Sequence, residues 1–151
     1  DFIDKSVSFD DPAVQLKDSE KAILDVLPNG TLTVKEGTKK GYAEVNEWQI
    51  VNLAIPGSKN RRGRVGDYAK TITTAPRQAI YYNGKIRMLT AKEYLRLMGF
   101  KDCDYEKMKR VGITDLQICS LAGNSICVPV LEALFKQLAD AKIIADCRET
   151  L

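Results

Sequence analysis

The sequence predicts a mixed α+β protein: a small, irregular β-rich lobe followed by two or three helices. Two observations predict it. Short β-prone runs broken by Gly, Pro and Asn fill the first half. The clearest helical spacing of apolar residues, with capping signals, comes after residue 88.

Residues 1–20 are acid-rich, lack a sustained period and read as an irregular lead-in or linker. The first residues, Asp1-Phe2-Ile3-Asp4-Lys5, have neither an initiator Met nor the basic and apolar regions of a signal peptide, and they read as a cut edge. Lys21 to Leu27 suits a short helix, closed by the turn Pro28-Asn29-Gly30 and followed by a strand through Leu32 and Val34. A second strand is expected from Trp48 to Leu53, stopped by Pro56-Gly57, with Trp48 as a core anchor rather than a base-stacking platform. Further β pieces fall at Lys70 to Thr74 and at Ala79 to Tyr82. The latter enters an Asn83-Gly84 turn, a strong hairpin signal.

The clearest helix runs from about Ala91 to Met98. Thr90 is its N-cap, Glu93 stands three residues on, Leu89 and Tyr94 form a hydrophobic staple, and Gly99 sits at the left-handed C-cap position. A last helix after Pro129 carries Val130, Leu131, Leu134, Phe135 and Leu138 on one face.

Composition narrows the function. With 151 residues, 44% hydrophobic and 28% charged, the chain has the make-up of one soluble globular domain or a piece of something larger, and no apolar run was expected to reach the roughly 18 residues of a membrane span. Cys103, Cys119, Cys127 and Cys147 form no C-x-x-C pair and the chain has no histidine, so a zinc site is not expected. Free thiols in a reducing cytoplasm follow. The usual Ser-His and Cys-His triads are excluded with the histidine.

The charge is unevenly spread. Six basic against ten acidic side chains give −4 over residues 1–58, eight against one give +7 over 59–87, and nine against nine cancel over 88–151. The block of Lys59, Arg61, Arg62, Arg64, Lys70, Arg77, Lys85 and Arg87 suits a surface that tracks phosphates, or a solvated basic loop. An RNA binder finds less support, because the block offers no run of aromatics for stacking.

Two motifs then carry a resemblance. Gly84 to Phe100, GKIRMLTAKEYLRLMGF, matches every defining position of R-x-L-T-x-x-E-x-x-R-L-x-G-F, and Leu121 to Val130, LAGNSICVPV, follows A-G-N-x-[IV]-x-V-P-V. In that order and spacing they resemble the ninth and tenth conserved motifs of DNA cytosine-5 methyltransferases. Upstream, Arg62-Gly63-Arg64-Val65-Gly66-Asp67 and Thr71-Ile72-Thr73-Thr74 resemble, more loosely, the end of that family's target recognition domain.

The resemblance implies an organisation and a set of roles. Residues 1–20 would be a lead-in, 21–100 the target recognition domain with the ninth motif, and 101–151 a return segment and the last helix, which belongs to a missing α/β catalytic domain. The parent enzyme would transfer a methyl group from S-adenosyl-L-methionine to C5 of a cytosine flipped out of duplex DNA, in a bacterial or phage setting. Arg61, Arg62 and Arg64 would contact guanine edges or phosphates, with phosphate favoured. Lys70, Thr71 and Thr73 would join them at the DNA backbone. Arg87, Thr90, Glu93 and Arg96 would organise the domain. Gly123, Asn124 and Ser125 would form a turn beside the cofactor and flipped base, one wall of a pocket.

The family's cofactor loop F-x-G-x-G, its Pro-Cys nucleophile, its Glu-Asn-Val acid and its Q-x-R-x-R arginines do not occur in these residues. No catalytic residue is therefore assigned, and the chain alone is expected to be inactive, since the covalent adduct needs the cysteine. Its partners would be double-stranded DNA and the missing catalytic domain or subunit, with neither metal nor membrane. Without the catalytic sheet, the apolar face of the last helix calls for a homodimer or a shifted helix. A free-standing DNA-binding or regulatory module derived from such an enzyme is the alternative.

Overall fold

The structure is a computed structural model and describes residues 2–140. Cys147 and the end of the 101–151 segment lie outside the described residues. The lead-in contains a single 3-10 turn at Pro12–Val14 and then α1, Asp18–Lys21. Three short strands, β1 (Leu24–Val26), β2 (Leu32–Lys35) and β3 (Tyr42–Glu44), form one antiparallel sheet in that order. A second sheet orders β5 (Val65–Gly66), β4 (Ile50–Asn52), β6 (Gln78–Tyr82) and β7 (Lys85–Met88), also antiparallel. Four helices follow: α2 (Ala91–Leu97), α3 (Asp102–Arg110), α4 (Asp115–Asn124) and α5 (Val128–Asp140). The fold is the mixed α+β class the sequence predicts.

Period-two alternation in β4 and β6 explains the layering. Ile50 and Ile80 face a core built with Leu89, Tyr94, Leu95 and the α4 residues Ile118, Cys119 and Ala122. Val51 and Ala79 face the other way, into a second core with Leu16, Ile23, Leu32 and Val34. The central strands are thus buried on both faces and join the small sheet to the helices. Asn83 and Gly84 both take positive φ, 49° and 73°, as the type I′ turn between β6 and β7 requires.

Three local expectations are overturned. Leu24–Val26 is strand rather than helix, because β1 pairs with β2 in the register Leu24↔Val34 and Val26↔Leu32. Residues 70–74 form no strand; side chains from elsewhere hold them instead. Trp48 is 43% exposed at a φ of 64° and stacks on Tyr82 at 3.9 Å, so it is a surface ring and not a core anchor.

Nor is the lead-in detached. Val14 and Leu16 are buried, and Asp4 N donates to Glu93 Oε1 at 2.8 Å. At the other end, Gly99 caps α2 with φ 84°, and a Cβ there would lie 2.3 Å from Pro129 Cδ. Only glycine meets both demands, the left-handed cap and the close approach of α5.

The stretch Asp115–Asp140 is apolar and long enough to pass as a membrane span, with a mean hydropathy of 1.6, against the expectation that no run would. It is two helices, not one. Ser125 ends α4 in an extended conformation, and α4 places Ile118, Cys119 and Ala122 in the core. α5 has no buried residue, and Val130, Leu134 and Phe135 are exposed.

Candidate nucleic-acid interface

The ninth-motif segment is a single buried ionic set. Arg87 is 0% exposed and donates from Nη1 to Glu93 Oε2 at 2.9 Å and from Nη2 to Glu93 Oε1 at 2.8 Å. Glu93, also fully buried, takes the Thr90 N–H at 2.8 Å, while Thr90 Oγ1 accepts from Glu93 N at 3.2 Å. One carboxylate therefore completes the capping box and neutralises the arginine. Arg96 reaches outward in a two-pronged pair with Asp102, both contacts at 2.7 Å, which pulls the Asp102 carboxyl down to about 2. Arg87, Thr90 and Glu93 bond to one another, and Arg87, Glu93 and Arg96 each reach the lead-in at Asp4.

Tyr94 carries that rigidity onward. Its hydroxyl accepts the backbone N–H groups of Arg77 at 2.9 Å and Gln78 at 3.1 Å, and burial pushes its pKa up to about 12. Gln78, 2% exposed, in turn grips Lys70 from both sides: Oε1 accepts Lys70 N at 2.8 Å and Nε2 donates to Lys70 O at 2.9 Å. The loop 70–74 is thus indexed to α2 through two buried polar side chains.

That loop forms one wall of a cleft of about 230 Å³ lined by Arg61, Lys70, Thr71, Thr73, Arg77 and Asn52, among others, and by no acidic side chain. Neither Arg61 nor Lys70 has a side-chain hydrogen bond or ion pair among the described residues, so both cations are available to an anion. Thr71 is exposed with its hydroxyl uncommitted there. Thr73 differs, since its hydroxyl donates to Ala75 O at 3.0 Å.

The remaining expected contacts fall elsewhere. Arg62 is exposed, outside the cleft lining, with Nε bound to Gly37 O at 2.8 Å. Arg64 is 1% exposed, and its Nη atoms donate to the carbonyls of Asn52, Ala54 and Ile55 at 2.9–3.0 Å. Its Nε is buried without a partner among the described residues, and burial lowers its pKa. A guanidinium so enclosed ties the 52–55 turn to β5 and presents nothing to DNA. Sequence reasoning also overlooked Tyr68, 83% exposed inside the basic block, which supplies an aromatic face there.

Gly123, Asn124 and Ser125 form not a free turn but the end of α4. A Cβ on Gly123 would lie 2.4 Å from Thr73 C and 2.5 Å from Thr74 N, so the glycine lets the 70–74 loop seat directly on the helix. Thr114, capping α4 through Gln117, was the readable sign of this helix. Asn124 is exposed and Ser125 half-buried, with Oγ donating to Ile126 O at 3.3 Å. Asn124 stands one residue from the contact that Gly123 makes with the loop. Among the described residues, no His, Cys, Asp or Glu group is placed to hold a metal ion.

A capped helix carrying R-x-L-T-x-x-E, a helix end carrying A-G-N, and a basic cleft beside the loop seated on that helix end thus occur together in this fold. Residues 12–140 match the model of the C-5 cytosine-specific DNA methylase family, and the chain belongs to that family. It is 40% identical over 90 residues to the orphan methyltransferase M.SPRI of Bacillus phage SPR, covering 54% of this chain and 20% of that protein. It is 42% identical over 77 residues to the putative type II methyltransferase M.BsuMIIP of Bacillus subtilis, 48% of this chain and 17% of that protein. The type II methyltransferase M.NgoBI of Neisseria gonorrhoeae is 47% identical over 51 residues, 34% of this chain and 14% of that protein. The matches thus span about a fifth or less of these relatives. No solved structure matches the chain.

Proposed function

We propose that these residues are the C-terminal, DNA-reading part of a cytosine-5 methyltransferase of bacterial or phage cytoplasm. The observation that carries this is the basic cleft, with unpaired Arg61 and Lys70, seated through Gly123 on the helix end that bears Asn124. Arg61, Lys70 and Thr71 hold backbone phosphates, Arg62 adds a peripheral contact, and Thr73 shapes the loop. Phosphate gripping of this kind sets register on the duplex; specificity comes from base edges read by the loops around it.

Asn124 and Ser125 supply hydrogen bonds to S-adenosyl-L-methionine, which provides the methyl group when bound. The nucleophilic cysteine and the rest of the cofactor site belong to a catalytic part outside these residues, so this chain alone transfers no methyl group. The exposed face of α5, with Val130, Leu134 and Phe135, docks on that part, and self-association of the chain covers it otherwise.

Mixing the chain with a separately produced catalytic half, duplex DNA and radiolabelled S-adenosyl-L-methionine tests the reading. Methyl transfer is expected only from the mixture. Transfer by the chain alone would overturn the division of labour, and DNA binding without any activity in the mixture would favour a free-standing DNA-binding module.

A further inference from the structure

Glu20, on α1, has a side chain only 3% exposed, and a carboxylate so enclosed needs a cationic partner. Its Oε2 accepts Lys17 N at 2.9 Å, within its own helix. Its Oε1 meets one cation, Arg77 Nη1, at 3.3 Å. Arg77 is 39% exposed and lines the basic cleft, and its backbone is pinned by Tyr94. Glu20 takes one of the guanidinium's N–H donors; the others have no partner among the described residues. A buried carboxylate thus holds an arginine that lines both a neighbouring cleft of about 450 Å³, on which Glu20 itself lies, and the basic cleft.

We propose that Arg77 is a phosphate-binding residue of this cleft and that Glu20 is its positioning residue, which makes the lead-in part of the DNA grip. The inference rests on the DNA-reading function above. The ligand class is a phosphodiester of the duplex backbone. The lining offers cationic N–H donors and the Thr71 hydroxyl without an acidic group, and a planar guanidinium fixed at one edge presents its remaining donors in the fork that phosphate oxygens accept. Held only by its own flexible side chain, the same arginine would lose rotamer freedom on binding. Prior fixation by Glu20 removes that cost.

The test is fluorescence anisotropy of labelled duplexes of several sequences titrated with the chain across a salt series. Arg77→Ala is expected to weaken binding to every duplex alike and to lower the slope of log affinity against log salt by about one. Arg77→Lys restores the slope but not the full affinity. Glu20→Gln leaves the slope intact while affinity falls several-fold, although it removes a negative charge beside the cleft.

An unchanged slope in Arg77→Ala, where Lys70→Ala lowers it, would overturn the assignment of Arg77. Equal or tighter binding by folded Glu20→Gln would show that the carboxylate merely neutralises Arg77, and would overturn its positioning role. If Glu20→Gln loses the native circular dichroism spectrum, the Arg77→Lys affinity decides: a wild-type value means no oriented fork is used. Failure of the unaltered chain to bind any duplex would instead overturn the DNA-reading function itself.

Discussion

Residues 84–100 and residues 59–77 are both arginine-bearing, yet the fold uses the charge in opposite ways. In the first region every cation is answered: Arg87 by Glu93, Arg96 by Asp102 and Asp4. In the second, Arg61 and Lys70 face a cleft without an acid in its lining. Arg64 belongs by sequence to the second region and by chemistry to the first, except that carbonyl oxygens rather than a carboxylate answer it. Arg77 stands between the two, paired with Glu20 yet on the cleft lining. Charge density in the sequence therefore does not identify a binding cation; donors left over after the internal contacts are made do.

The largest effect should come from breaking the first region. Glu93→Ala strips Arg87 of its carboxylate partner while leaving the guanidinium sealed in the core, and it also removes the capping acceptor from Thr90. Loss of one partner of such a pair costs about 3–5 kcal/mol. Urea unfolding of the variant should show a correspondingly lower midpoint or no folded baseline. A cost near that of a surface change would mean Arg87 finds water, and the buried set is not what holds the lobe.

Two substitutions probe the link between the regions. Gly123→Ala should stabilise an ordinary helix by about 1 kcal/mol, but here the new methyl meets the Thr73 and Thr74 backbone. The expected outcome is the opposite sign, a loss of about 1–3 kcal/mol as for an overpacked core, together with weaker DNA binding as the loop is displaced. Calorimetry and anisotropy on the same sample check both. Tyr94→Phe leaves the Arg77 and Gln78 N–H groups without an acceptor, at a cost of about 1–3 kcal/mol. Hydrogen exchange should rise at those two amides before it rises elsewhere.

What the sequence made legible follows the same division. The Asn83-Gly84 hairpin and the Thr90-to-Glu93 capping box could be read because their chemistry is complete within a few residues. β1 could not, since its pairing partner begins at Leu32 and a seven-residue window reads only the helical alternative. Arg64 was beyond reach for a related reason: the carbonyls that enclose it lie 9 to 12 residues earlier, in a turn whose shape appears only in the fold. Lys70 was found by charge, but Gln78, which fixes its backbone, carries no signal a sequence displays.

Within the second region the comparison predicts function without stability. Lys70→Ala removes a cation that no internal group uses, so its unfolding midpoint should stay within about 0.5 kcal/mol of the unaltered chain. Its DNA binding should nevertheless weaken across all sequences, with the salt slope lower by about one. A destabilised variant would show that Lys70 has an internal partner, and an unchanged salt slope would take it out of the interface.

The smallest effect tests the outermost member of the first region. Asp102 is held down to about 2 from an ordinary 3.8, first by the hydrogen bond from Arg96 and then with help from Lys92. A carboxyl whose folded pKa is depressed adds stability wherever it is ionised in both states, so its contribution is present above the ordinary value. It fades as acid takes the pH through the window from 3.8 toward about 2. Asp102→Asn should therefore unfold at a slightly lower temperature near neutral pH, and the two proteins should converge at the acid end of that window. Because the pair is exposed to solvent, molar salt should shrink the gap at neutral pH as well. A gap that persists in acid and in salt would show that Asp102 acts through packing at the start of α3, and the line between answered and free cations would then have to be drawn by shape rather than charge.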